Sequence, residues 1–124
     1  MLAEVMLEDA HGGPVAHIHG EIDMSNVADI ATMLQNAVDQ AAAGLVIDFS
    51  ATDYLDSAGV QFVFDLAKRL RDRGQRLYLA VPPGSPVGAV LDIVHVDSLA
   101  PRCETLEVAL ERLAQHAADV PPAG

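Results

Sequence analysis

Three groups of residues in this sequence have types and spacings that could do chemistry. The first is Asp53-Tyr54-Leu55-Asp56-Ser57-Ala58-Gly59, where a hydroxyl stands among acids just before a glycine. Such a serine either opens a helix or accepts a transferred group. The second is the pair His17 and His19, with His11 close by. Imidazoles two residues apart share one face of a strand and could share a metal, but no third clear ligand follows. Polar side chains on an exposed sheet face account for them, and no metal is expected. The third is Cys103, the only cysteine. It cannot form an internal disulfide, and no histidine lies near it in sequence to make a thiolate pair.

Other chemistry is missing. Ser57 is not in a Gly-x-Ser-x-Gly elbow, and there is no glycine-rich nucleotide loop with its lysine. Neither an enzyme nor a bound cofactor is expected.

The elements that must position Ser57 follow from periodicity. Val5-Met6-Leu7 and Val15-Ala16-His17-Ile18-His19 read as strands joined by the turn His11-Gly12-Gly13-Pro14. Apolar residues at Val27, Ile30, Ala31, Leu34, Val38 and Ala41 predict a helix over 25–43, capped by Ser25 or Asp23 and stopped by Gly44. Leu45-Val46-Ile47-Asp48-Phe49 suits a buried parallel strand. A second helix runs over 57–73, with Asp56 as its cap and Ser57 as its first residue. Leu77-Tyr78-Leu79-Ala80-Val81 is another strand. Ser85-Pro86 opens a short helix, and Thr105 caps a last one carrying Leu106, Ala109, Leu110 and Leu113. Strands alternating with helices of crossover length predict an α/β fold: a mixed, mainly parallel sheet of about four to five strands with about four helices. One domain is expected over 1–117, with a loose tail over 118–124.

The second long helix has an unusual surface. At ~100° per residue, Val60, Val63, Phe64, Ala67 and Leu70 share one face. Ala58, Phe62, Asp65 and Arg69 fall on the opposite one, which places a phenylalanine on a solvent face about one turn from Ser57. Lys68, Arg69, Arg71, Arg73 and Arg76 form the only basic cluster, and most of it complements the negative end of that helix.

Charge narrows the partners. Seven Lys+Arg against eighteen Asp+Glu leave a net charge of -11 over 124 residues. No Lys or Arg precedes Lys68, so the whole imbalance lies in residues 1–67. Nucleic acid and anionic membrane surfaces would repel such a chain. The first residues lack the basic and apolar segments of a signal peptide, and no stretch approaches the ~20 apolar residues of a membrane span. A cytoplasmic protein is expected.

These residues resemble the STAS domain of bacterial anti-sigma-factor antagonists. The resemblance covers nearly the whole chain. It rests on Gly20-Glu21-Ile22-Asp23 before the first helix, the strand Leu45–Phe49, Tyr54-Leu55-Asp56-Ser57-Ala58-Gly59, and Leu106-Glu107-Val108-Ala109-Leu110 in the last helix. It implies a partner switch. A kinase-type anti-sigma factor would phosphorylate Ser57, the unphosphorylated form would bind that factor and free the sigma factor, and a phosphatase would reset the cycle. Ala58 stands where many members carry Ser or Thr, which leaves Ser57 as the only hydroxyl there. The implied contact surface comprises Asp23, Asp56, Ser57, Ala58, Gly59 and Phe62. The same motif occurs in STAS subunits of transport or lipid-trafficking ATPase complexes and in scaffolds of stress-sensing complexes, which are the alternative roles.

Overall fold

The hairpin that opens the fold is longer than the sequence pattern implies. In the computed structural model, which describes residues 3–94 and 99–119, strand β1 (Ala3–Ala10) pairs antiparallel with β2 (Gly13–Ile22) from Ala3↔Gly20 to Ala10↔Gly13. The chain continues through α1 (Val27–Ala37), β3 (Gly44–Asp48), β4 (Thr52–Leu55) and α2 (Ser57–Asp72). It then forms β5 (Arg76–Ala80), α3 (Pro86–Val94), β6 (Arg102–Cys103) and α4 (Leu106–Asp119).

The sheet order is β1-β2-β3-β5-β6, and every pairing after the first is parallel. The expected mixed, mainly parallel α/β fold is what forms, with four helices among the described residues. Its aliphatic strands are buried on both faces, as crossover helices require. On one face Ile18, Ile22, Leu45, Ile47, Leu77 and Leu79 join Ile30 and Leu34 of α1 and Val63, Leu66 and Leu70 of α2 in the main core. On the other face α4 lays Ala109 and Leu113 on Val15, Val46, Tyr78 and Ala80.

Three differences from the sequence pattern have physical causes. The first is a sixth strand. Residues 52–55 were expected to be loop, yet β4 pairs with the end of β2 (Gly20↔Thr52, Glu21↔Tyr54, Ile22↔Leu55). Strand β2 therefore has β3 beside its first half and β4 beside its second. Between them the chain steps through a turn in which Thr52 N–H donates to the Phe49 carbonyl at 3.0 Å, and the Thr52 hydroxyl donates to the Ile18 carbonyl at 2.6 Å. The register shifts between Gly20 and Glu21. Gly20 takes φ +107° there, a backbone that side chains resist. A four-residue strand with two exposed members leaves no periodic signal.

The second is the end of α1. It stops at Ala37 instead of 43. Val38 is extended and buried, and the Asp39 carboxylate accepts the N–H groups of Ala41 and Ala42 at 2.9 and 3.0 Å. That local turn competes with the helix. Gln75 holds it from below, its Nε2 donating to the carbonyls of Asp39 and Ala42 at 2.8 and 3.0 Å. Gly44 does not end the helix; it opens β3. The third is the start of α1, where the cap residue is Asn26 and not Ser25 or Asp23.

Helix α4 extends to Asp119, two residues past the expected domain limit. Residues 120–124 of the expected tail lie outside the described residues.

Candidate functional site

Strand β4 delivers Asp56 to the tip of α2, and this one carboxylate fastens two segments together. Its Oδ1 accepts the Gly59 N–H at 2.9 Å, which caps the helix as the sequence implies. Its Oδ2 accepts the Met24 N–H at 3.2 Å from the turn between β2 and α1. The Asp56 N–H in turn donates to the Ile22 carbonyl at 3.2 Å.

That turn is itself closed. The Asp23 carboxylate accepts the N–H and the hydroxyl of Ser25. The Asp23 N–H donates to Asn26 Oδ1 at 3.1 Å, and the Asp23 carbonyl accepts from Asn26 and Val27. Asn26 is buried and donates Nδ2 to the Glu21 carbonyl at 2.8 Å. The hydrogen bonds from the Ser25 hydroxyl and then the Ser25 N–H hold the Asp23 carboxyl below its usual pKa. It is therefore a fixed negative charge at neutral pH.

Ser57 sits exposed between these two fastened loops as the first residue of α2. The helix points its positive end and its first-turn N–H groups at this spot. Two exposed apolar residues missing from the sequence-derived surface flank it. Met24, 77% exposed, is carried by the turn that Asp56 holds, and Tyr54, 49% exposed, lies on β4. A methionine between Asp23 and Ser25 in a short polar turn is the one signal that could have flagged it.

The other expected contacts divide. Asp23, Asp56, Ser57 and Ala58 meet at the surface around the start of α2. Gly59 is buried beneath them: a Cβ there would lie 2.4 Å from Leu55 Cδ1 and 3.2 Å from the Ile22 carbonyl oxygen. The expectation that Phe62 lies on a solvent face is wrong, because it is 5% exposed and belongs to the main core. The helical-wheel argument allows for one covered face. Helix α2 has two, because it packs on the sheet and also against α1, where Ala28 and Ala31 leave room for the ring beside Leu66.

Two of the remaining chemistry-bearing residues, His17 and Cys103, are held by their surroundings. His17 and His19 project from the same face of β2, but His17 Nδ1 meets Asp48 Oδ2 at 2.8 Å and Nε2 meets Glu8 Oε2 at 3.2 Å. Both ring nitrogens are thus engaged by carboxylates. Cys103 is buried against α4, and burial pushes its thiol pKa up, away from a reactive thiolate. No described helix is long and apolar enough to cross a membrane.

The model of the STAS domain matches residues 5–109. This chain belongs to the STAS-domain family. Solved structures agree in fold. An anti-sigma factor antagonist from Mycobacterium paratuberculosis is 24% identical and superposes with a TM-score of 0.80 over 90% of this chain and 93% of its own. SpoIIAA, a Bacillus cell fate determinant and anti-sigma factor antagonist, is similar in two states. Its unphosphorylated form is 23% identical, with a TM-score of 0.68 over 89% of this chain and 97% of its own. Its phosphorylated form is 21% identical, with a TM-score of 0.62 over 89% and 99%.

Proposed function

We propose that this STAS domain is an anti-sigma-factor antagonist that acts by partner switching at Ser57. One observation carries the reading. Ser57 is exposed at the start of α2, while the loops on either side of it are fixed by Asp23 and Asp56. A partner meets the same shape each time, and the hydroxyl stands where it can be modified without unfolding anything. The structures of SpoIIAA in unphosphorylated and phosphorylated forms support the same view.

The energetics favour a switch in binding over a switch in fold. A phosphate adds about -1.5 to -2 charges. The helix terminus favours it by ~0.3–1 kcal/mol when exposed, and repulsion from Asp23, Asp53 and Asp56 opposes that gain. The fold survives, while the surface beside Met24 acquires bulk and charge that a bound partner must accommodate. In this reading the partner is an anti-sigma factor with serine-kinase activity. The unphosphorylated domain binds it and releases the sigma factor, and a phosphatase reverses the modification. The domain itself is a cytoplasmic regulator without catalytic residues, cofactor or nucleic-acid contact.

The test uses the kinase-type anti-sigma ATPases of the source genome, purified, with ATP. Mass spectrometry is expected to find phosphate on Ser57 with at least one of them. That partner should bind wild type and Ser57→Ala with similar Kd and bind Ser57→Asp at least ~10-fold more weakly, a loss of about 1.4 kcal/mol. Equal affinities for all three, or phosphate elsewhere, would sink the reading.

A further inference from the structure

Beside Ser57, α1 and α2 do not close on each other completely. A furrow of about 320 Å3 runs between them, starting at Ala58, one residue from Ser57. Val27 and Ala31 form one wall, Phe62 and Leu66 the floor, and Gln61 and Asp65 the outer rim. The volume lies at the low end of the roughly 300–1,000 Å3 that ligand pockets occupy, and the furrow is open along its length. That shape suits an inserted side chain better than an enclosed small molecule.

Charge selects what surrounds that side chain. Asp65 on the α2 rim is exposed; Lys68 and Arg69 follow about one turn further along, and no Lys or Arg precedes them in α2, toward Ser57. The Asp23 and Asp56 carboxylates lie at the same end. A second copy packing through this same end would present the same acids and be repelled. A cationic surface would be attracted.

We propose that this furrow receives one apolar anchor side chain, flanked by Lys or Arg, from the partner that reads Ser57. The inference rests on the partner-switch reading and adds a second point of attachment, separate from the hydroxyl. Phe62 takes part from below: it lines the pocket into which the anchor fits without being exposed itself. Anchors of this kind, seated in desolvated pockets, carry most of the energy of an interface, and rim charges mainly set its on-rate and salt dependence. Ser57 then decides whether the partner can stay, and the furrow decides which partner arrives.

The experiment uses the same purified anti-sigma ATPases. Ala31→Phe fills the furrow from within, and Ala28→Phe covers it from an exposed position, so one variant remains informative if the other folds poorly. Each is expected to weaken binding at least ~10-fold, the size of a buried anchor, with circular dichroism unchanged. Asp65→Lys should slow association and flatten its salt dependence, and Val108→Phe on α4 should change nothing. If an ATPase phosphorylates Ser57 and discriminates Ser57→Asp but binds both furrow variants like wild type, the furrow proposal is overturned and the switch stands. If no ATPase binds or phosphorylates the domain, both fall. Dimerisation that Ala31→Phe abolishes would name a second copy as the occupant and overturn the proposal.

Discussion

Two carboxylates at the ends of neighbouring strands are held in opposite ways. Asp56, after β4, accepts from the main-chain N–H groups of Gly59 and Met24. Asp48, ending β3, accepts the Ser50 N–H at 3.0 Å but also meets a titratable side chain, His17, which reaches on to Glu8. The first arrangement fixes two loops through donors that never lose their protons. The second ties three strands together through a charge that pH can remove. The exposed serine stands on the first, so its setting is insulated from the conditions that loosen the second.

The largest expected effect strikes the support beneath Asp56. Gly59→Ala brings a methyl to 2.4 Å from Leu55 Cδ1, and Leu55 is buried. Overpacking of this kind costs about 1–3 kcal/mol, measured as a lower chemical-denaturation midpoint. A neutral Gly59→Ala would mean that this region yields and is not rigid. Next comes Asp56→Ala, which removes the helix cap, worth about 0.5–2 kcal/mol, together with the tie to Met24. Its loss of stability should be present at pH 8, and amide exchange should rise in the turn over 22–26. An effect confined to α2 would show that the tie is idle.

The His17 network sharpens the contrast through pH. Burial alone lowers the His17 pKa, but hydrogen bonds and attraction from Asp48 and Glu8 outweigh it and raise the pKa above 6.5. Burial likewise pushes Asp48 up, but hydrogen bonds from Ser50 and His17 outweigh it and hold its pKa below 3.8. A raised histidine stabilises fully below its unfolded pKa and loses that contribution as pH rises through its folded pKa. A depressed aspartate stabilises above its unfolded pKa and loses that contribution as pH falls through its folded one. The pair therefore contributes most from about pH 4 to 6.5. His17→Gln should cost about 1 kcal/mol at pH 5.5 and clearly less at pH 8.5. A cost that grows with pH would overturn the assignment. The smallest effect belongs to Ser57→Asp, expected within ±0.5 kcal/mol of wild type in stability, as for exposed positions generally. A larger loss would make the switch one of folding.

Local signals were legible and distant ones were not. The caps at Asp56, Ser85 and Thr105 all form as read, with Ser85 accepting from Gly88 and Thr105 from Val108, because a cap and its N–H lie three residues apart. Strand β4 was invisible because its partner is β2, more than thirty residues upstream. His17 looked like surface polarity because Asp48 is 31 residues away. Phe62 was misplaced for the same reason: the wheel of α2 holds no record that α1 packs beside it. The candidate site was read from a motif and a helix start, whereas the turn beside it, with Met24 exposed, is a product of the fold.

Among the described residues, strand β1 is an edge of the sheet, with one side of its eight-residue backbone unpaired. Exposed Met6 and Leu7 make that edge adhesive toward any other extended chain. Glu4, Glu8 and Asp9 line the same strand without a single cation. Two such edges carry like charge, which opposes their pairing edge to edge. Concentrated salt should screen that repulsion.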